Sequence, residues 1–293
     1  MKKYISVLFV FLMLPFISSA QEKDSTKVQG KFISFFAPDE KPERNAFESA
    51  TLIDNATNVV FQKNTLEVVM AHRFGVVNSD LGNDLVGFWG ASNIRIAVAY
   101  SVTDRIAVGF GTTKELRLQD FNLKGAILQQ TRTNKMPISV TYYGNFTIDA
   151  RPEDQFNMIQ DRYSFFNQII IARRFSPNIS FQIAPSISHL NAAETGTSND
   201  MIGLAFGGRA KITPGTSIIL DYSQPLTNFD DDNLQPKAGF SLGVEFGTSG
   251  HTFQIFATNV NGIVPQYNYI KNQNDFFSGD ILIGFNITRN YNF

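Results

Sequence analysis

The chain has 293 residues, 25 of them basic and 26 acidic, with a net charge of −1. A balance this close offers no basic face for nucleic acid or for an anionic membrane surface. Cysteine is absent, which excludes thiolate metal sites, a disulfide framework, a thiol nucleophile and lipidation of an N-terminal cysteine. The mean hydropathy of −0.09 looks like that of a soluble protein. It does not argue against a membrane, because barrel strands hide their apolar residues in alternation.

Lys2 and Lys3 precede an apolar run over 4–17 and then Ser18-Ser19-Ala20. A positive start, a hydrophobic middle and small residues at the end predict a signal peptide over 1–20, cleaved before Gln21. The run is too short for a spanning helix, and no other stretch approaches the ~20 apolar residues that one needs. Residues 21–64 lack the strand pattern of the rest of the chain. The segment opens on a polar leader, and 37–42 reads as a loop. Asn45, with Glu48 three residues on, predicts a short capped helix over 45–53. As a whole, 21–64 reads as a periplasmic lead-in packed beneath a barrel or as a plug in its mouth, the lead-in being the simpler expectation.

From Thr65 the pattern becomes extended. Twelve strands are predicted over 65–74, 92–102, 105–114, 119–130, 137–149, 162–175, 179–190, 200–212, 216–224, 237–247, 251–259 and 277–293. Most lie near the ~9–11 residues that a tilted spanning strand requires. Successive side chains of a strand point to opposite faces. Ile94, Ile96, Val98 and Tyr100 thus oppose Asn93, Arg95, Ala97 and Ser101. Phe240, Leu242, Val244 and Phe246 oppose Ser241, Gly243 and Glu245. The sixth strand is ambiguous, with apolar residues on both faces. The last carries Ile283, Phe285, Ile287, Tyr291 and Phe293 on one face and Gly284, Asn286, Thr288, Asn290 and Asn292 on the other.

The connections sort by parity. Tight turns stand at Thr103-Asp104, Ser176-Pro177-Asn178, Thr213-Pro214-Gly215 and Thr248-Ser249-Gly250, with a looser one over 131–136, while most of the intervening connections are longer. Tight turns at one end and long loops at the other are the asymmetry of an outer-membrane barrel. A soluble sandwich has no reason for it, and would need a second layer of core where this chain carries Gly, Ala, Ser, Asn and charges. The fold class is therefore all-β: a closed antiparallel transmembrane barrel of about twelve strands over 65–293, behind the 21–64 segment.

Several short motifs strengthen this reading: His72-Arg73-Phe74-Gly75, Phe88-Trp89-Gly90, Tyr100-Ser101-Val102-Thr103-Asp104, Ala46-Phe47 and Thr51-Leu52-Ile53. In these the chain resembles a family of exported β-barrel proteins of uncharacterised function from the Bacteroidota. The resemblance implies an outer-membrane barrel and supplies no catalytic residues.

Chemistry is sparse. His72, His189 and His251 lack ligand spacing, so no metal site is expected and no cofactor is implied. An outer-membrane phospholipase would need a serine within ~3 Å of His189. Ser186 and Ser188 fall on the face opposite it, and no enzyme is expected. The acidic loop Asp230-Asp231-Asp232-Asn233 lacks the spacing of a calcium loop. Alternation turns Glu67, Arg73, Arg95, Lys124, Arg209, Lys211, Asp221 and Glu245 into the lumen. There they form either a transverse field that selects small polar solutes or paired charges that close and stiffen a narrow barrel. The expected function is a narrow channel or structural barrel in the outer membrane. Its expected partners are outer-membrane lipid, small polar solutes and the barrel-assembly machinery, which would take the last strand ending in Phe293. Two alternatives remain: an outer-membrane phospholipase-type hydrolase, if a serine of the adjacent strand reaches His189, and a surface-binding barrel acting through the 260–276 loop.

Overall fold

A computed structural model describes residues 41–77, 85 and 87–293. The signal-peptide stretch 1–20 and the leader up to residue 40 lie outside the described residues. Two two-residue strands, β1 (Thr51–Leu52) and β2 (Asn55–Ala56), form a small hairpin of their own. Twelve further strands form one closed barrel: β3 (Thr65–Val76), β4 (Asn93–Thr103), β5 (Ile106–Thr113), β6 (Leu118–Leu128), β7 (Ser139–Asp149), β8 (Tyr163–Arg174), β9 (Ile179–Leu190), β10 (Asp200–Thr213), β11 (Thr216–Pro225), β12 (Gly239–Gly247), β13 (His251–Thr258) and β14 (Leu282–Asn292). Each is antiparallel to the next, and β14 closes on β3, with Asn286 opposite Ala71 and Asn292 opposite Thr65. Closure leaves no edge strand, so the backbone groups of the wall find partners without water.

The side chains dictate this sheet. On β3, Thr65, Glu67, Val69, Ala71 and Arg73 are buried, while Leu66, Val68, Met70 and His72 alternate with them on the outer face. The outer face is aliphatic and open: Val98 is 41 % exposed, Ile202 55 % and Ile255 55 %. A continuous belt of this kind is stable only against hydrocarbon. No helix among the described residues is long and apolar enough to cross a membrane.

The sequence pattern places eleven of the twelve strands within two residues of their observed ends. The last one begins later than expected, at Leu282 rather than 277, because Phe276–Ser278 forms a 3-10 turn ended by left-handed Gly279. One connection on the long-loop side is short: a 3-10 turn, Glu115–Arg117, joins β5 to β6.

Two expectations are corrected. The helix over 45–53 is absent; the chain bends over 46–50 and then enters the β1–β2 hairpin. Two of its backbone donors are taken by the wall instead of by helical carbonyls, Ala50 N–H donating to Glu67 and Ile53 N–H to Gln254, and just beyond it Asp54 and Asn55 N–H both donate to Asp221. The described part of the 21–64 segment, residues 41–64, does not lie beneath the barrel. It crosses the turn end at Pro42, which bridges to Thr131, contacts wall side chains across the lumen, and returns where Asn64 N–H donates to the Ser101 carbonyl.

Candidate functional site

The lumen is the candidate site, and residues 46–61 are its principal occupant. Phe47, Leu52, Ile53 and Val59 are buried against Ala172, Ile219 and Phe256 of the wall. Each large apolar side chain buried this way contributes about 1.5–3 kcal/mol. Polar contacts fix the position. Arg73 Nη2 donates to Asp54 at 2.8 Å and to the Ile53 carbonyl at 3.1 Å. Asn55 gives its amide to Asp221 and Ser223, both at 2.8 Å. Gln182 donates to the Ala56 carbonyl at 2.9 Å, and Ser241 Oγ donates to Asp54 at 2.6 Å.

At the hairpin tip Ile53 has φ +50°, a left-handed conformation costly for a β-branched residue, about 1–3 kcal/mol. Three wall side chains hold it there. Gln254 accepts from its N–H, while Arg73 and Asn286 donate to its carbonyl.

The loop end is filled by the connection between β13 and β14, whose helix α1 (Pro265–Lys271) turns inward with Pro at its first position. Tyr269 is 1 % exposed and stacks on Phe166 at 5.8 Å. Ile170, Met201 and Leu190 complete that apolar patch. This explains the ambiguous sixth strand: Phe166 and Ile170 of β8 face inward because α1, rather than water, covers them. Gln266 donates to Asn145, Thr147 and Ser164. Tyr269 OH lies 3.5 Å from Asn55, so the two inserted elements meet.

Gly203 makes room for Tyr269, since a Cβ there would fall 2.4 Å from its ring. Gly203→Val is therefore expected to displace α1 and destabilise the barrel by about 1–3 kcal/mol, the usual range for overpacking. Urea unfolding in detergent micelles measures this. The companion variant Gly203→Val/Tyr269→Ala should recover part of the loss.

The eight lumen charges sort into distinct roles. Arg209 Nε donates to Glu245 at 2.7 Å, and its Nη2 donates to Glu48 of the inserted segment at 2.8 Å. Asp221 accepts three bonds from Asp54 and Asn55. Arg95 pairs with Asp120 in a two-bond fork at 2.8 and 2.7 Å. Glycine at 111 leaves space for that fork, a Cβ there falling 2.4 Å from Asp120 and 2.5 Å from Arg95. Lys124 Nζ donates to the Ala50 and Val59 carbonyls at 2.7 and 3.3 Å, and Glu67 accepts from Ala50 N–H. Lys211 is half-buried near the turn end of β10, opposite Ser217, and contributes no side-chain hydrogen bond among those described. The partners Glu48, Asp54, Asn55, Asp120 and Gln254 were missed from the sequence.

At the mouth, a cavity of about 630 Å³ is lined by Glu115, Asp149, Arg151, Phe156, Tyr267 and Lys271 among others. Burial raises the Glu115 carboxyl above its ordinary value, against the pull of Lys114. Burial, with Asp149 nearby, pushes the Tyr267 phenol up to about 12, so it stays a neutral hydroxyl.

The other candidates do not assemble. His189 Nδ1 lies 2.7 Å from Asp200 and Nε2 3.0 Å from Asn191, so both ring nitrogens are engaged without a serine. Asp231 caps its own loop by accepting from Asn233 N–H. No metal-ligand cluster occurs among the described residues.

Comparison with known proteins agrees with the architecture. A porin, NanC, is similar over 78 % of this chain and 100 % of its own, with 9 % identity and a TM-score of 0.50. An outer-membrane channel from Pseudomonas putida F1 covers 80 % of this chain and 97 % of its own, with 11 % identity and a TM-score of 0.49. The KdgM porin covers 78 % and 99 %, with 5 % identity and a TM-score of 0.46. At such identities the likeness concerns the fold alone. No curated protein matches the chain in sequence. The model of one family, described as a membrane bound beta barrel domain (DUF5777), matches residues 47–291. That span takes in the inserted segment as well as every strand of the wall. The chain belongs to this family of membrane-bound β-barrels.

Proposed function

We propose that this barrel is a narrow outer-membrane channel for small polar solutes, and that it stands closed in the conformation described. One observation carries the reading. Lumen side chains of nearly every strand are bonded to a segment of the chain's own N-terminal part, and the cavity at the middle of the lumen is about 80 Å³. That is room for a few waters, not for a hydrated solute. Long runs of small and polar inward residues suit a wet lumen better than an apolar core. Residues 46–61 act as the plug, the tight-turn end faces the periplasm, and 1–20 direct export. β14 is the strand offered to the assembly machinery, and the lineage is that of the Bacteroidota. The barrel does no covalent chemistry. The inward fold of α1 speaks against a protruding binding loop.

Planar-bilayer recording on refolded protein tests this. The full mature chain should show rare, brief openings, and a variant lacking 41–62 should conduct steadily, at least tenfold more on time average. A truncated barrel that migrates as folded and passes no current would end the channel reading.

A further inference from the structure

The inserted segment is not bonded evenly around the wall. Residues 46–61 are anchored to β10 through Arg209, β11 through Asp221, β12 through Ser241, β13 through Gln254 and β14 through Asn286. They are also anchored to β3, β6, β7 and β9 through Arg73, Lys124, Thr141 and Gln182, whereas the inward side chains of β4 and β5 make no hydrogen bond to them among those described. Toward the turn end, the inward residues of β4 and β5 are small, Ala97, Ala99, Ser101 and Ala107, while Gly109 and Gly111 are covered by Asn122 and by the Arg95–Asp120 pair. Side chains this short leave space along that wall.

Three cavities lie there in series. The mouth cavity touches the loop ends of β4 to β7 at Asn93, Thr113, Leu118 and Asp149. The central cavity is lined by Glu67, Arg95, Ala97, Ala99, Ala107 and Lys124. The third, about 30 Å³, sits at the turn end between Ala126, Ser139 and Thr141 on the wall and Asn58 in the inserted segment. Ile263 lines both the first and second cavities, and Val60 both the second and third. No residue of β10 to β14 lines any of the three.

We propose that solute crosses the barrel along the β4–β7 half of the lumen, through constrictions at Ile263 and Val60, while the plug stays bonded to β10–β14. This rests on the channel reading and assigns its route. Opening then needs only a small displacement of two aliphatic side chains and their loops, not extraction of the whole segment. Arg95, Lys124 and Glu67 are the charges that the solute meets midway, and Arg209, Asp221 and Glu245 hold the plug rather than select the solute.

The cysteine-free chain permits a direct test. Ala99→Cys puts a thiol in the central cavity, and Ser223→Cys puts one behind the plug, where Ser223 Oγ accepts from Asn55. Both changes are small enough for the barrel to fold. Each protein, full-length and in detergent, is treated with sulfonatoethyl methanethiosulfonate, and the mass gain is followed in time. Ala99→Cys should label at least tenfold faster than Ser223→Cys, and its modification should cut any current. Equal rates, faster labelling at Ser223→Cys, or no labelling of either overturns the route. If Ala99→Cys labels rapidly while neither the full chain nor the chain lacking 41–62 conducts, the wet path stands and the channel reading fails.

Discussion

Arg73→Met is expected to cost the folded barrel about 3–5 kcal/mol, the usual loss when one partner of a buried ion pair is removed. Arg73 is fully buried, with 0 % exposure. Its guanidinium donates to Asp54, to the Ile53 carbonyl and to Asn286, and lies 4.5 Å above the Phe256 ring. Methionine fills similar space but donates nothing. Asp54 would then hold a buried charge whose own N–H is bonded to a second carboxylate, Asp221, and left-handed Ile53 would lose one of its restraints. The hairpin should leave its seat, so the variant should also conduct more than the parent. Adding Asp54→Asn removes the stranded charge and should restore at least about 1 kcal/mol, within the range for coupled neighbours. Urea titration in micelles, read as the shift between folded and unfolded gel bands, measures the stability term. A loss below about 1 kcal/mol, with conductance unchanged, would contradict the role assigned to the pair.

What the sequence discloses depends on whether a local rule governs it. Strand parity was legible because lipid imposes a period of two on every crossing, as Val98 and Ala99 illustrate on opposite faces of β4. Arg209 and Glu245 obey the same alternation, and they bond to each other inside the wall. The plug contacts obey no period. Asn55 meets Asp221 across 166 positions, and Glu48 meets Arg209 across 161, so only the closed wall brings them together. The Asn45–Glu48 spacing is a true helix-start signal that tertiary contacts overrode, because Gln254 and Asp221 offer acceptors that an isolated peptide lacks. Phe166 and Ile170 left their strand ambiguous for a related reason. Their cover, Tyr269, sits about a hundred residues away in a helix of only seven residues, too short to announce itself by periodicity. Asp221 shows the limit of parity most clearly: alternation turns it inward, but its partners Asp54 and Asn55 come from the inserted segment, which no period relates to it.

The second large effect separates lipid from water at the outer face. Val98 stands at the middle of β4, opposite Val68 of β3 and Phe110 of β5, and Val102 is an exposed residue near its turn end, where the pairing with β5 is irregular. They are exposed to similar degrees, 41 % and 45 %, so on a water-facing surface the same substitution would cost each of them almost nothing. In a bilayer depth decides. Val98→Arg puts a guanidinium at the hydrocarbon midplane and should cost about 2–4 kcal/mol, whereas Val102→Arg lies close enough to the interface to cost about 0–1 kcal/mol. Both variants are refolded into lipid vesicles and unfolded by guanidinium chloride beside the parent, then compared in detergent micelles, whose deformable surface lets either arginine reach water. The difference between the two variants should be clear in vesicles and shrink in micelles. Equal stability of Val98→Arg and Val102→Arg in vesicles would mean that the aliphatic belt does not face hydrocarbon, and the membrane placement of the strands would have to be abandoned with it.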